Sequence, residues 1–508
     1  MAGNAQPVST EFGSSHGHAV RATSIIGGAS LLNIAIGLVR MKIAAIVLGP
    51  IGIGTIGLLQ NLLNAAATAG GLSLGTAGAR EIVASERTGG PPSASAARRA
   101  IFVTVGLLSL CSGFTFWLFR EPLAGLLFQD RGKAAEVGWL AVGVAVIAAA
   151  GYQTAILSAR RRIGDMARLT MLSATAGALI GTASVIIWQA DGILPFILAA
   201  PIATLAFGWI FLRRVPPADG DLPRDAIKRH VRSLVGHGAS LTIAVFVILC
   251  GQLAIRTLVE RKLGASALGH FQAAWTITAV YLFFIFQAMG TDYLPRLTAE
   301  MGDRAKAQRL VDGQAEVGIL LAAPILLGMI GLAPWALSIL YTSQFVEATD
   351  LLRYQMLGDL LRLAIWPVAI ALMAGGATRH YTFAEIIGTA ILVGVTMVLL
   401  PLAGLAAPGM AYVVTNLIYG AVIMAFAHRL YGIFLGAKVI RQFALLAACC
   451  LLTFAISLNF PTAGAVVGSA LAGLWATFAF FRLRLADLFV TRGTKLDMPS
   501  GVGGSLEP

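Results

Sequence analysis

The chain has 508 residues, 57% of them hydrophobic and only 12% charged, with a mean hydropathy of +0.81. Soluble domains carry about 25% charged residues, so this composition excludes a soluble enzyme or binding module and indicates an all-α polytopic membrane protein. The formal net charge is +13, but the basic residues are scattered beside the ends of apolar stretches, where they act as topology signals and contacts for anionic lipid; nucleic acid is not an expected partner.

A helix needs about 20 apolar residues to cross a bilayer. In chain order such stretches lie at 23–48, 52–78, 100–119, 137–158, 169–188, 193–212, 239–259, 268–290, 313–340, 351–374, 383–401, 409–427, 443–459 and 464–481, about 14 transmembrane helices in all. Residues 1–22 lack the apolar core of a cleaved signal peptide and read as a flexible cytoplasmic N-terminus. The Pro-containing, charged segment 213–238 reads as a cytoplasmic linker between two lobes, and 482–508 as a cytoplasmic tail that opens with a short interfacial helix up to Leu496. Crossing the bilayer uses nearly the whole chain, so no separate catalytic domain and no cofactor is expected. Cys111, Cys250, Cys449 and Cys450 all fall inside expected spans, which argues against a disulfide framework or a metal site.

Twenty-seven of the 37 Lys and Arg lie in alternate gaps and only five in the other set of gaps. Basic residues in short loops stay on the cytoplasmic side, which places both termini in the cytoplasm; the expected location is the cell inner (plasma) membrane, which the family resemblance given below implies. The remaining five, Arg40, Lys42, Arg256, Arg353 and Arg362, are intramembrane.

An internal repeat divides the chain. Gly28-Ala29-Ser30-Leu31 recurs as Gly238-Ala239-Ser240-Leu241, and Leu48-Gly49 followed by Gly57-x-x-Gln60 recurs as Leu263-Gly264 followed by Gly269-x-x-Gln272. The reading is an N-lobe at 23–212 and a C-lobe at 239–427, each of six helices. An even number of spans makes the two a parallel pseudo-repeat about the membrane normal, a plan common among secondary transporters. Residues 428–481 supply a linker and two further helices, which fall outside the duplication.

An ionisable side chain in hydrocarbon is a functional hypothesis by default. Five cations against one clearly intramembrane acid, Asp359, leave an electropositive interior that favours an anion. Arg40 and Arg256 precede their landmark glycines by similar distances, so both lobes carry a cation at similar depth on their first helix. Lys42 points about 200° away from Arg40 around the helix, and Arg353, near an outer end, reads as a side chain reaching for the surface. Asp359 and Arg362 share a helical face; they form either a neutralised structural pair or a protonatable carboxylate that gates its neighbour. Gln60, Asn61, Asn64 and Thr68 cluster on one face of the second span, and Gln272, Thr276, Gln287, Trp275 and Tyr281 lie on the eighth. Such groups suit a sugar or bridge helices; Gln60, Asn64, Gln272 and Trp275 are the candidate glycan contacts. Gly52-x-Gly54-x-x-Gly57 has the spacing of a dinucleotide loop but opens a membrane span, and Gly71-x-x-x-Gly75 and Gly177-x-x-x-Gly181 read as close helix packing.

The segment RMKIAAIVLGPIGIGTIGLLQNLLNAAATAGGLSLGTAGAREIV, residues 40–83, resembles the amino-terminal signature of polysaccharide flippases of the Wzx type (O-antigen flippases), within the multidrug/oligosaccharidyl-lipid/polysaccharide (MOP) exporter superfamily. The resemblance is strongest over roughly the first 90 residues; beyond them it rests on span count and duplication. It implies two six-helix lobes with two further helices, and a cationic cavity that accepts the pyrophosphate of an undecaprenyl-linked oligosaccharide. In that scheme Arg40 and Arg256 are cavity cations, with Arg362 and Lys42 as further candidates, and Arg80 and Arg296 sit at the cytoplasmic ends of the second and eighth helices. It further implies alternating access, Asp359 as the candidate for ion coupling, and a polysaccharide polymerase or other assembly protein as a partner.

Two other functions compete. A multidrug or organic-cation exporter of the same superfamily needs intramembrane carboxylates, of which this chain has few. A membrane-embedded polymerase or glycosyltransferase needs a sizeable outer loop, whereas the longest outer gap, 120–136, has 17 positions.

Overall fold

Hydrocarbon offers no hydrogen-bond partners, so a chain this apolar must satisfy its backbone within helices. The computed structural model describes residues 11–71, 74–128, 130–215 and 224–496, and every long element among them is helical, with no strand. The helices are α1 (Glu11–Gly71), α2 (Leu74–Leu118), α3 (Arg120–Phe128), α4 (Ala134–Ala159), α5 (Ile163–Trp188), α6 (Ile193–Leu212), α7 (Arg224–Leu263) and α8 (Ala265–Glu300). They continue with α9 (Arg304–Leu340), α10 (Thr349–Ala374), α11 (Thr378–Ala403), α12 (Ala407–Tyr431), α13 (Ala437–Asn459) and α14 (Pro461–Leu496).

Ten helical stretches among the described residues are long and apolar enough to cross a membrane. Three of these, Leu32–Thr88, Ile163–Leu212 and Thr378–Tyr431, run 57, 50 and 54 residues and each holds two of the expected spans. The protein is an all-α polytopic membrane protein. Large side chains such as Leu110, Leu402 and Val466, at least 70% exposed, suit a lipid environment.

Several local expectations differ from the structure. Helix α1 starts at Glu11, inside the segment read as flexible, while residues 1–10 lie outside the described residues. In the linker, 224–238 form the first turns of α7, 216–223 lie outside the described residues, and Leu234 is fully buried with Ile82, Ile101 and Phe211. The tail helix up to Leu496 is a continuation of α14 rather than a separate element; residues 497–508 lie outside the described residues. Gly71-x-x-x-Gly75 does not form one helical face, because Gly71 ends α1 and Gly75 belongs to α2. Gly177-x-x-x-Gly181 does pack closely: Cβ atoms there would meet Ala200 at 2.5 Å and the Phe196 backbone at 3.2 Å on α6.

Glycine sets the geometry of the first repeat helix and its counterpart. At Gly49 the chain adopts φ +62° and Pro50 follows with no N–H to give, which breaks α1 into two segments. Gly264 takes φ +90° between α7 and α8. Both landmark glycines of the repeat therefore use the left-handed region open mainly to glycine. Beyond the first break, a Cβ on Gly54 would lie 2.8 Å from the Gly269 nitrogen, and one on Gly269 would lie 1.8 Å from the Pro50 carbonyl oxygen. The nucleotide-like glycine spacing thus serves a backbone-to-backbone crossing of α1 and α8.

Contacts divide the chain into two compact units. Unit 1 comprises Met1–Ile277, Leu337–Leu351 and Glu385–Ala411; unit 2 comprises Thr278–Ala336, Leu352–Ala384 and Tyr412–Pro508. Unit 1 holds the buried cluster around Ile82, Ile101, Ile156 and Phe211. Unit 2 holds a second around Tyr293, Val311, Val368 and Ile423. Within unit 2, α9 crosses α14 closely, since a Cβ on Gly331 would lie 2.7 Å from the Gly464 carbonyl. Glu316 on α9 accepts from Lys438 (2.7 Å) and Gln442 (3.1 Å) of α13 and from Arg482 (3.3 Å) of α14.

Candidate cationic site

Arg256 and Gln272 lie eight residues before and after Gly264, so the α7–α8 hairpin brings them face to face. Arg256 is 3% exposed. Its Nε donates to Gln272 Oε1 at 3.0 Å and its Nη1 to the Gln252 carbonyl at 3.1 Å. The rings of Phe271 and Trp275, stacked 5.7 Å apart, flank the guanidinium at 5.6 and 5.7 Å. Gln272 Nε2 donates onward to Thr276 at 3.1 Å, and Asn61 Nδ2 donates to Gln252 Oε1 at 3.2 Å, tying α1 to α7. Both ends of the Gln272 amide are therefore engaged, and Gln272 and Trp275 both contact Arg256.

Arg40, on α1 of the same unit, is half-buried. Its guanidinium lies 3.8 Å over the Phe196 ring and donates to the Phe196 carbonyl on α6. Lys42 donates to the Ile339 carbonyl instead, in keeping with its different direction on the helix. No carboxylate pairs with Arg40 or Arg256 among the described residues. A guanidinium stays ionised, and at mid-membrane one costs about 2.5–3.5 kcal/mol even on insertion scales. Each of these two cations is balanced only by π-faces, amides and carbonyls, so each offers positive charge that an anion would complete.

The other candidates separate. Gln60 and Asn64, one turn apart on α1, are exposed, whereas Asn61 is buried. Arg80 and Arg296 are exposed. In unit 2, Asp359 on α10 is completely buried and accepts from Tyr412 Oη at 2.8 Å and from Tyr281 Oη. Arg362 interacts electrostatically with Asp359 and lies 5.5 Å over the Tyr419 ring. Arg353 does not reach for the surface: it is 3% exposed and its Nε donates to the Ile330 carbonyl at 3.2 Å.

Two residues escaped the sequence reading. Tyr412 lies 53 positions from Asp359, and no local pattern announces the contact. His270 is 3% exposed, with Nδ1 3.3 Å from Glu347 and its ring edge-on to Phe345; the criterion that found Asp359, an ionisable group in an apolar stretch, also applies to it. Among the described residues no group of His, Cys, Asp and Glu is arranged to hold a metal.

Comparison with known proteins fits this arrangement. The model of a family described as "Polysaccharide biosynthesis protein" matches residues 93–350, just over half the chain. The chain is 23% identical over 406 residues to the lipid III flippase of Escherichia coli (strain K12), covering 77% of this chain and 93% of that protein. Among solved structures, the lipid II flippase MurJ in an inward closed conformation superposes with TM-score 0.68 at 12% identity, covering 90% of this chain and 99% of that one. An inward-facing multidrug resistance MATE transporter of the MOP superfamily gives 0.67 at 15% identity, covering 83% and 98%. With the MOP fold and a family match over half its length, the chain belongs to the polysaccharide biosynthesis protein family.

Proposed function

We propose that the protein is a flippase that carries a lipid-linked saccharide precursor of a surface polysaccharide across the cell inner membrane. The observation that carries this reading is the carboxylate-free surroundings of two intramembrane cations, half-buried Arg40 and buried Arg256. The similarity to a lipid III flippase supports it. The cargo is an undecaprenyl-pyrophosphate-linked oligosaccharide, an O-antigen or exopolysaccharide repeat unit. Its pyrophosphate engages Arg40 and Arg256, with Lys42 as a further cation and Arg80 as an entry contact. The exposed amides of Gln60 and Asn64 meet the glycan; Gln272 and Trp275 orient Arg256.

Fourteen transmembrane helices form two six-helix lobes, 23–212 and 239–427, which exchange access from one membrane face to the other, with both termini in the cytoplasm. Asp359, held by two tyrosines, is the group through which an ion gradient couples to that exchange. The protein acts by transport, without a cofactor, and hands its cargo to a polysaccharide polymerase or other assembly protein.

One observation favours a second reading. The Asp359 carboxylate is the kind of group an organic cation seeks, and MATE transporters share the fold. Complementation separates the two. In a bacterium lacking its own flippase, wild type should restore surface glycan, and Arg40→Ala/Arg256→Ala, present at normal level, should accumulate the lipid-linked intermediate inside. Drug efflux without glycan rescue would instead favour the exporter.

A further inference from the structure

Unit 2 contains a pocket of about 380 Å³ where α8 ends and α9 begins, lined by Arg296, Ala299, Glu300, Lys306, Arg309 and Leu310. Three of these six are cations drawn from two helices that meet across a tight turn, and one is a carboxylate. The turn is fixed from below. Asp303 caps α9, its Oδ1 accepting from the backbone N–H groups of Ala305 at 3.0 Å and Lys306 at 3.2 Å. The hydrogen bond from Lys306 N–H, with that from Ala305 and the nearby cations, holds the Asp303 carboxyl below its ordinary range. Lys306 Nζ is steered into position by Glu300 at 3.5 Å and Asp303 at 3.8 Å. Arg296 has no ion-pair partner among the described residues.

We propose that this pocket binds the phosphate of an anionic phospholipid headgroup. The fit is chemical. Three cations against the lining carboxylate of Glu300 and the capping carboxylate of Asp303 still leave net positive charge for a phosphodiester, and two arginines offer the planar donor forks that phosphate takes. The apolar residues Ala299 and Leu310 line the same pocket and suit the start of an acyl chain. The position fits as well: the pocket follows the apolar stretch 268–290 of α8, so it lies at headgroup level, where basic pockets between membrane helices take lipid phosphates. In this inference Arg296 belongs to a lipid site of unit 2. The inference does not depend on which cargo the protein moves.

The test is native mass spectrometry of the full chain in detergent, titrated with phosphatidylglycerol, with phosphatidylcholine and with inorganic pyrophosphate. The wild type should retain phosphatidylglycerol over phosphatidylcholine, and Arg296→Ala/Arg309→Ala should lower its apparent affinity by roughly tenfold or more. Two variants keep the result interpretable if the alanines disturb folding. Arg296→Lys/Arg309→Lys should retain most of the binding, and Arg161→Ala/Arg213→Ala, which removes two exposed arginines elsewhere, should retain all of it. Equal loss in the remote variant would show diffuse attraction and overturn the proposal. So would unchanged binding in the alanine variant, or pyrophosphate displacing the lipid at equal concentration.

Discussion

Gln272 accepts a hydrogen bond from Arg256 Nε at 3.0 Å while its side chain rests against Gly57, where a Cβ would sit 2.3 Å from Gln272 Cδ. Replacing Gly57 by Ala therefore pushes the amide off the guanidinium. Because the obstacle is a flexible side chain, the fold should survive: we expect Gly57→Ala to melt within about 1 kcal/mol of wild type yet to lose glycan export. Thermal unfolding in detergent alongside the complementation assay checks both halves.

Gly269→Ala should behave in the opposite way. Its Cβ meets the Pro50 carbonyl oxygen at 1.8 Å, a backbone atom that cannot rotate aside. Overpacking of this kind costs about 1–3 kcal/mol or more, so lower melting temperature and lower membrane abundance should appear together. An unchanged melting curve would show that α1 and α8 do not cross this closely.

At Arg256 charge alone is not enough. Lysine keeps the charge but lacks the planar fork whose separate Nε and Nη1 reach Gln272 and Gln252 while the guanidinium sits beside Phe271 and Trp275. Arg256→Lys should therefore lower transport by roughly tenfold, about 1.4 kcal/mol, and Arg256→Ala by more, at normal abundance. Equal activity of Lys and Arg would assign the position a purely electrostatic role.

Asp359→Asn keeps the shape and one acceptor for the two tyrosines but removes the charge. It should fold and bind cargo, and its transport should stop responding when the proton or sodium gradient is collapsed. Tyr412→Phe removes the hydroxyl that donates to Asp359 at 2.8 Å and also meets the Asn416 side chain; its cost is about 1–2 kcal/mol of stability, with gradient dependence retained.

Glu316 is the test of the two added helices. Glu316→Gln loses the charge that Lys438 and Arg482 share and weakens their contacts from α13 and α14. Faster hydrogen exchange in residues 437–482, with complementation intact, is the expected outcome.

Which of these features the sequence announced follows from how local each one is. Arg40, Arg256, Asp359 and Arg362 stood out because one residue in an apolar stretch is conspicuous by itself, and Asp359 and Arg362 are also linked by a spacing within one helix. Tyr412 on Asp359 and Asn61 on Gln252 join separate helices, and nothing near either residue marks its partner. An amide in a membrane span, such as Gln272, has several uses, and only the hairpin geometry about Gly264 shows that its oxygen accepts from Arg256. Arg353 was read from its depth alone, whereas the Ile330 carbonyl supplies a buried acceptor. The glycines at 54 and 57 have a visible spacing, but their meaning depends on Gly269 and Gln272, more than 200 positions away.

The α1–α8 crossing contains no side chain at its nearest point, so its spacing is set by main-chain atoms and tolerates no enlargement at residues 54 or 269. Gln60 and Asn64 lie further along α1 with their side chains exposed. Under the proposed function, a laboratory search for variants with altered cargo range starts from libraries that randomise positions 60 and 64 and hold the glycines constant. In that small region of sequence space, new specificity can be screened without losing the scaffold that presents it.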